Sequence, residues 1–310
     1  MKMIESILVT GGTGMLGINL VKKLVQTGIK PYVIYRDKKK LFPFYKIKNK
    51  VNFIKLDLQN KSKLISTIKK IKPNIVFHLA SSYFNPPNLK LKDHIDLNFF
   101  VTLNLLEALK NTRIKKFIFS GSAAIYDNGK YLKENSVYRF KNNYGISKLL
   151  CSNLLSNYYK LYNFPSIELR FFSIYGDWEK KGRLVRDAID SALLKKKIKI
   201  LSKDQIRDYI YVDDAVDALI IASKKLNVNG IFNICSSKKQ STHTLVKTIY
   251  KKFNLKLKIT KKNYTTKTND ISELVGDNSK AQKILKWLPN ISIDEGLNKT
   301  ITWNKKSLVK

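Results

Sequence analysis

Short apolar and β-branched runs alternate with stretches of helical period through the first half of the chain. Strands are predicted at Ser6–Thr10, Tyr32–Tyr35, Asn52–Leu56, Ile75–Leu79, Lys116–Ser120 and Ser166–Phe171. Helices are predicted between them, near Met15–Thr27, Lys61–Lys70, Asp96–Asn111 and Tyr144–Tyr162. Pro73 and Pro165 each stand just before a strand, where a residue without an N–H stops the preceding helix. Strands that are apolar nearly throughout, with helices between them, mark a parallel sheet covered on both faces. The expectation is an α/β fold built on a doubly wound parallel sheet.

After Phe171 the regular alternation fails, and helix-like stretches recur at Val185–Lys195, Val212–Lys224, Thr242–Lys252 and Ser279–Leu285. A length of 310 residues fits one large domain or one and a half. The sheet domain is placed at residues 1–172, with 209–236 packing back onto it. Residues 173–208 and 237–310 are assigned to a smaller C-terminal cap on the carboxyl edge of the sheet. Open α/β folds bind their ligands at that edge.

The first predicted strand ends in Gly11-Gly12-Thr13-Gly14-Met15-Leu16-Gly17 and a helix follows at once. A strand, a glycine turn and a helix N-terminus together hold a dinucleotide pyrophosphate. Gly11 permits the tight turn, Gly14 lets phosphate approach the backbone, and Gly17 lets the helix pack on the strand. The pattern implies a dinucleotide cofactor.

Composition changes the picture in one respect only. The net charge of +36 would suit an anionic partner. Of the 59 basic residues, however, seven are Arg and 52 are Lys, scattered in short runs such as Lys38-Lys39-Lys40. With no Arg-rich arm and no dense basic segment, nucleic acid is set aside as a partner. Abundant Lys, Asn and Ile is the outcome that AT-rich codons give at tolerant surface positions. No apolar stretch reaches the length of a bilayer, and Met1–Ser6 run straight into the first strand, so neither membrane nor leader is expected. Cys151 and Cys235 lie far apart without metal-ligand spacing, which suits a reducing cytoplasm and argues against a metal site.

Tyr144 and Lys148 stand at i and i+4 on a predicted helix, hence on one face. A neighbouring ammonium stabilises a phenolate, which fits the phenol for proton transfer near neutral pH. Spacing alone is weak, because 16 Tyr among 52 Lys predict roughly three chance pairs. The chain has three, Tyr35/Lys39, Tyr126/Lys130 and Tyr144/Lys148. Only Tyr144 opens a long helix, and it follows Ser120-Gly121-Ser122 at the carboxyl end of a predicted strand.

With these motifs in order, the chain resembles the extended short-chain dehydrogenase/reductases of the nucleotide-sugar epimerase/dehydratase group. The resemblance rests on TGGTGMLG at Thr10–Gly17, LDL at Leu56–Leu58, FHLAS at Phe77–Ser81, FSGSAAIY at Phe119–Tyr126 and YGISK at Tyr144–Lys148. It continues through LRFFSIYG at Leu169–Gly176 and RDYIYVDD at Arg207–Asp214, covering nearly the whole chain. It implies a catalytic set of Ser122, Tyr144 and Lys148. It implies cofactor contacts at Gly11, Thr13, Gly14, Met15, Leu16, Gly17, Asp57, Leu58, Ala80, Ser81 and Asn98, with Tyr144 and Lys148 also touching the nicotinamide half. Ser82, Ser122, Ser173 and Arg207 fall at substrate positions, and the implied partner is a nucleotide-diphosphate sugar. A homodimer in the cytoplasm and a role in surface polysaccharide biosynthesis follow from the same resemblance.

Departures from the pattern narrow the reading. At the end of the second strand the chain reads Tyr35-Arg36-Asp37. Arg36 suits a 2′-phosphate and tips NAD(P) toward NADP, while Asp37 is placed to read the ribose of NAD. Ala123 and Ala124 stand where 4,6-dehydratases carry two carboxylates, so dehydration is disfavoured against 4-epimerisation or 4-ketoreduction. Ser173 replaces a usual Asn, and Lys267-Thr268-Asn269-Asp270 replaces a late Arg element. Two readings of other classes, a non-catalytic RNA-binding relative and a cofactor sensor, are opposed by the intact Ser122/Tyr144/Lys148 set.

Overall fold

The computed structural model describes residues 6–82, 89–139, 142–198, 205–259 and 272–308. The chain divides into two compact units. The first comprises 1–125, 142–170 and 216–232; the second comprises 126–141, 171–215 and 233–310. Segment 126–141 thus belongs with the later residues, although it falls inside the 1–172 sheet domain expected from sequence.

In the first unit, β1 (Ile7–Thr10), β2 (Tyr32–Tyr35), β3 (Asn52–Lys55), β4 (Ile75–His78), β5 (Lys116–Ser122) and β7 (Ser166–Phe171) follow the predicted strands closely. With β11 (Gly230–Ile234) they form a seven-stranded sheet in the order β11-β7-β5-β4-β1-β2-β3. The β1–β2, β2–β3, β1–β4 and β4–β5 pairs are parallel, with Leu8 opposite Val76 and Val76 opposite Phe117. Every residue of β1, β4 and β7 is buried; β1 and β4 accordingly read as short, mostly apolar runs, whereas β7 also buries Glu168 and Arg170. The strand order reverses between β1 and β4, and the carboxyl ends there open the crevice used for ligands.

The helices are α1 (Met15–Gln26), α2 (Lys61–Ile71), α3 (Leu91–His94), α4 (Val101–Leu109) and α5 (Asn143–Tyr162). The α2 start is capped by Asn60, which accepts from Lys63 N at 3.1 Å. That of α5 is capped by Asn142, which accepts from Gly145 N at 2.7 Å. Leu64 and Ile68 of α2 and Leu105, Leu106 and Leu109 of α4 pack with Val76, Phe117 and Leu155 in one core. Between α3 and α4 runs a π-helical stretch, Ile95–Phe100. The sequence period predicts a plain helix from Asp96; a π-helical turn stands there instead, and Asn98 and Thr102, four residues apart on one face, are both buried.

In the second unit β6 (Gly129–Leu132), β9 (Ile206–Arg207), β12 (Gln240–Ser241) and β13 (Glu273–Gly276) form a four-stranded sheet. A separate pair joins β8 (Ser173–Tyr175) to β10 (Tyr209–Tyr211). Around them lie α6 (Leu184–Leu193), the first turn of α7 (Val212–Lys224), α8 (Thr242–Lys251) and α9 (Ile293–Leu308). Buried Asp214 ties this unit internally, accepting from Asn290 N and Ile291 N at 2.9 and 3.1 Å. Among the described residues no helix is long and apolar enough to cross a membrane.

Candidate active site

Gly11 follows β1 with φ +68°, a conformation that side chains rarely adopt. A Cβ there would lie 2.5 Å from the Leu79 carbonyl carbon and press on Ala80 N, so only glycine lets the loop lie against the end of β4. Gly14 then caps α1 without any side-chain hydrogen bond, and no acidic residue occupies the first turn. A Cβ on Gly14 would meet nothing closer than Gly11 O at 3.4 Å. The first N–H groups of this 12-residue helix therefore have no side-chain cap. These residues fit a dinucleotide pyrophosphate. Thr13, Met15 and Leu16 are half-buried around the same turn, and Gly17 is buried against Gly12.

The other predicted cofactor residues line the same carboxyl edge. Arg36 is exposed just past β2. Asp37 is engaged, its carboxylate capping the 3₁₀ segment Lys38–Lys50 by accepting from Lys39 N at 2.9 Å. Asp57, past β3, likewise closes a turn by accepting from Gln59 N at 3.0 Å, and Leu58 is buried. Ala80 and Ser81 follow β4.

Asn98, 1% exposed, is the hub behind this edge. Its Oδ1 accepts from Ser82 N at 2.7 Å and Ser81 Oγ at 3.1 Å. Its Nδ2 donates to Ser82 Oγ at 2.9 Å and to Ser147 Oγ at 2.8 Å. Ser147 Oγ in turn donates to Tyr144 O at 2.8 Å. One buried amide thus joins the β4 loop to the helix that carries Tyr144.

Ser122 ends β5 and its Oγ accepts from Ala124 N at 3.1 Å. Tyr144 is the second residue of α5, and Lys148 lies one turn on. Lys148 is 2% exposed, and its Nζ donates to Ser120 O at 2.8 Å. The ammonium sits 4.7 Å from the Phe119 ring centroid and 5.8 Å from that of Tyr144. The arrangement puts a cation, a phenol and a hydroxyl on two elements at one end of the sheet.

Sequence reasoning gave no role to two histidines beside this site. His78 is fully buried, with Thr10 Oγ1 2.6 Å from Nδ1 and Thr102 Oγ1 3.0 Å from Nε2. Thr102 spends its own proton on Asn98 O at 2.6 Å, so His78 donates through Nε2 and accepts from Thr10 at Nδ1. Burial, then the charge of Lys148, pushes the His78 pKa down to about 3. His94 meets the Tyr144 ring edge-on at 6.2 Å, and its Nδ1 lies 2.7 Å from Ser82 Oγ. Burial lowers its pKa as well.

Ser173 and Arg207 belong to the second unit. Ser173 N donates to Asp208 O at 2.9 Å. The Arg207 guanidinium donates to Ile206 O at 2.9 Å and Ser272 O at 3.3 Å. The stretch Lys267–Asp270 lies outside the described residues.

Residues 7–235 match the model of the NAD dependent epimerase/dehydratase family. The chain belongs to that family. Its curated relatives include a UDP-glucose 4-epimerase of Mycoplasma pneumoniae, 29% identical, with 95% of each chain covered. A UDP-glucuronate 4-epimerase of Thermodesulfobacterium geofontis is 28% identical over 83% of this chain and 80% of the relative. Among solved structures, UDP-glucuronic acid 4-epimerase from Bacillus cereus, in complex with UDP-glucuronic acid and NAD, matches with a TM-score of 0.89. That match is 24% identical, covers 97% of this chain and 99% of the other, and shows the family's fold.

Proposed function

We propose that this protein is an NAD-dependent 4-epimerase of nucleotide-diphosphate sugars, with UDP-sugars as the substrate class of its named relatives. The observation that carries the reading is the Lys148 ammonium, held on Ser120 O one helical turn from Tyr144. Bound NAD supplies the acceptor and donor of hydride at sugar carbon 4. Tyr144 takes the proton from the O4 hydroxyl and later returns it. Lys148 stabilises the phenolate charge, and Ser122 hydrogen-bonds the same oxygen. The Gly11–Gly17 turn and the α1 N-terminus hold the pyrophosphate, while Asp57, Leu58, Ala80, Ser81 and Asn98 serve the cofactor. Ser82, Ser173 and Arg207 contact substrate in this reading, the guanidinium suiting the diphosphate.

Ala123 and Ala124 are both buried, and neither can move a proton in an elimination, which speaks against dehydration. A homodimer, a cytoplasmic location and a role in surface polysaccharide biosynthesis complete the reading and rest on the family resemblance. A second reading is an NADP-linked 4-ketoreductase. It is favoured by exposed Arg36 and by the engagement of the Asp37 carboxylate with Lys39 N. The test is to purify the protein, identify the cofactor it retains, and follow UDP-glucose and UDP-glucuronate by proton NMR. Retained NAD with conversion at carbon 4 is expected. Retained NAD with no conversion of either sugar, and no reduction of the cofactor, would count against an epimerase.

A further inference from the structure

Beneath the candidate site lies a buried charge cluster that the proposed chemistry does not use. Arg170 and Glu168, two residues apart on β7, are 0% and 4% exposed. Arg170 Nε donates to Glu168 Oε1 at 3.0 Å, and an Arg170 terminal nitrogen donates to Ser152 Oγ at 3.0 Å. Ser152 Oγ donates to Glu168 Oε2 at 2.5 Å. A buried ion pair is costly to desolvate and is a weak device for stability alone.

Its surroundings are more telling. Gly121 on β5 has no room for a side chain: a Cβ would lie 2.5 Å from Glu168 Oε1, 2.8 Å from Glu168 Cγ and 3.1 Å from Arg170 Cγ. The Glu168 carboxylate is therefore the floor on which the Gly121 backbone rests. The residue before Gly121 supplies the carbonyl that takes the Lys148 ammonium at 2.8 Å, and the residue after it is Ser122. Ser152 sits one turn beyond Lys148 on α5. The contacts close a ring from Lys148 to Ser120, Gly121, Glu168, Ser152 and back along α5 to Lys148.

We infer that Glu168, held by Arg170 and Ser152, is a positioning residue that sets the depth of the Ser120–Ser122 backbone against α5, and so the spacing of Ser122 from Lys148 and Tyr144. The inference rests on the reading that these three groups carry the chemistry. In this ring a carboxylate fixed by two partners acts as a spacer that neither an aliphatic nor a longer side chain reproduces. Displacing the β5 end would misplace two reacting groups at once, and small misplacements cost catalysis more than binding.

The test uses the NAD-loaded enzyme with UDP-glucose and UDP-glucuronate, following single-turnover formation of reduced nicotinamide alongside steady-state kcat and KM. Gly121→Ala should lower kcat by about a hundredfold while KM and NAD affinity stay within about threefold. A kcat for Gly121→Ala within about twofold of the parent would overturn the inference. If Gly121→Ala does not fold, Glu168→Gln keeps the volume and removes the charge. A fall in kcat at constant KM then supports the positioning role, and an unchanged kcat removes it. Tyr144→Phe, run in parallel, separates the two ideas: activity surviving that change sinks the functional reading itself.

Discussion

The ammonium of Lys148 is held 2.8 Å from the carbonyl oxygen of Ser120, although the two residues lie 28 positions apart on different elements. That single bond ties α5 to the carboxyl end of β5. It also leaves the cation 5.8 Å from the centroid of the Tyr144 ring. Position and charge are supplied together.

Removing the phenol or the cation should therefore stop the same step. Tyr144→Phe and Lys148→Met are each expected to lower kcat by roughly 10²–10⁴-fold. Far-UV circular dichroism should match the parent, and for Tyr144→Phe the NAD affinity should as well. Steady-state assays with UDP-glucose and UDP-glucuronate check this, and unchanged turnover in Tyr144→Phe would refute the proton-transfer role.

Asn98→Ala removes an acceptor from buried Ser82 N and a donor from Ser147 Oγ. Leaving a buried donor unpaired costs about 1–3 kcal/mol. For a chain of this size the midpoint should fall by roughly 2–4 °C per kcal/mol. Scanning calorimetry reads the shift, and an unaltered midpoint would mean that Asn98 is not the hub its contacts suggest.

His78 imposes a pH dependence. Its folded pKa, about 3, lies below the ordinary histidine value of 6.5. Between those values the unfolded chain binds a proton that the native chain excludes. The contribution of His78 is thus fully present above pH 6.5 and is lost as the pH falls toward 3. The slope is at most about 1.4 kcal/mol per pH unit. Urea unfolding at pH 7, 6 and 5 should show stability falling with pH, and His78→Gln should flatten that dependence. A slope identical in the variant would assign it to other groups.

Gly11→Ala places a side chain at φ +68° and against the end of β4. A non-glycine residue held there costs about 1–3 kcal/mol, and relief of the contact must move the loop. NAD binding, followed by fluorescence quenching, should be lost or weakened well before the fold is. Binding equal to the parent would contradict the pyrophosphate role of the turn.

Arg36 decides between the two cofactors. If it meets a 2′-phosphate, Arg36→Ala should weaken NADP binding by about tenfold or more and leave NAD binding within about twofold. A parallel titration with both nucleotides reads the difference. Equal effects on the two would remove the NADP reading.

Much of the first unit was legible in the chain. β1 and β4 are buried on both faces and mostly apolar, so their composition alone announced them. The glycine turn declared itself because positive φ and close backbone approach leave few alternatives to glycine. The second unit was harder to read. Its strands are two to four residues long and draw their partners from distant segments: β13 pairs with β6 and with β9, near residues 130 and 206. No local period signals such pairings. Helix α9 escaped for a related reason, since in its polar-rich sequence the buried positions Leu297, Thr300, Ile301 and Asn304 mix polar with apolar residues.

By itself the sequence determined the class of fold, the place of the dinucleotide turn and the pairing of Tyr144 with Lys148, because each depends on local conformation and short-range spacing. Only the tertiary structure decided what surrounds that pair. Asn98 joins the β4 loop to α5, the Thr10–His78–Thr102 chain selects a neutral imidazole, and Glu168 with Arg170 forms a floor under Gly121. These are relations between segments that touch only once the sheet is assembled. Burial then makes each polar group depend on a partner far away in the chain.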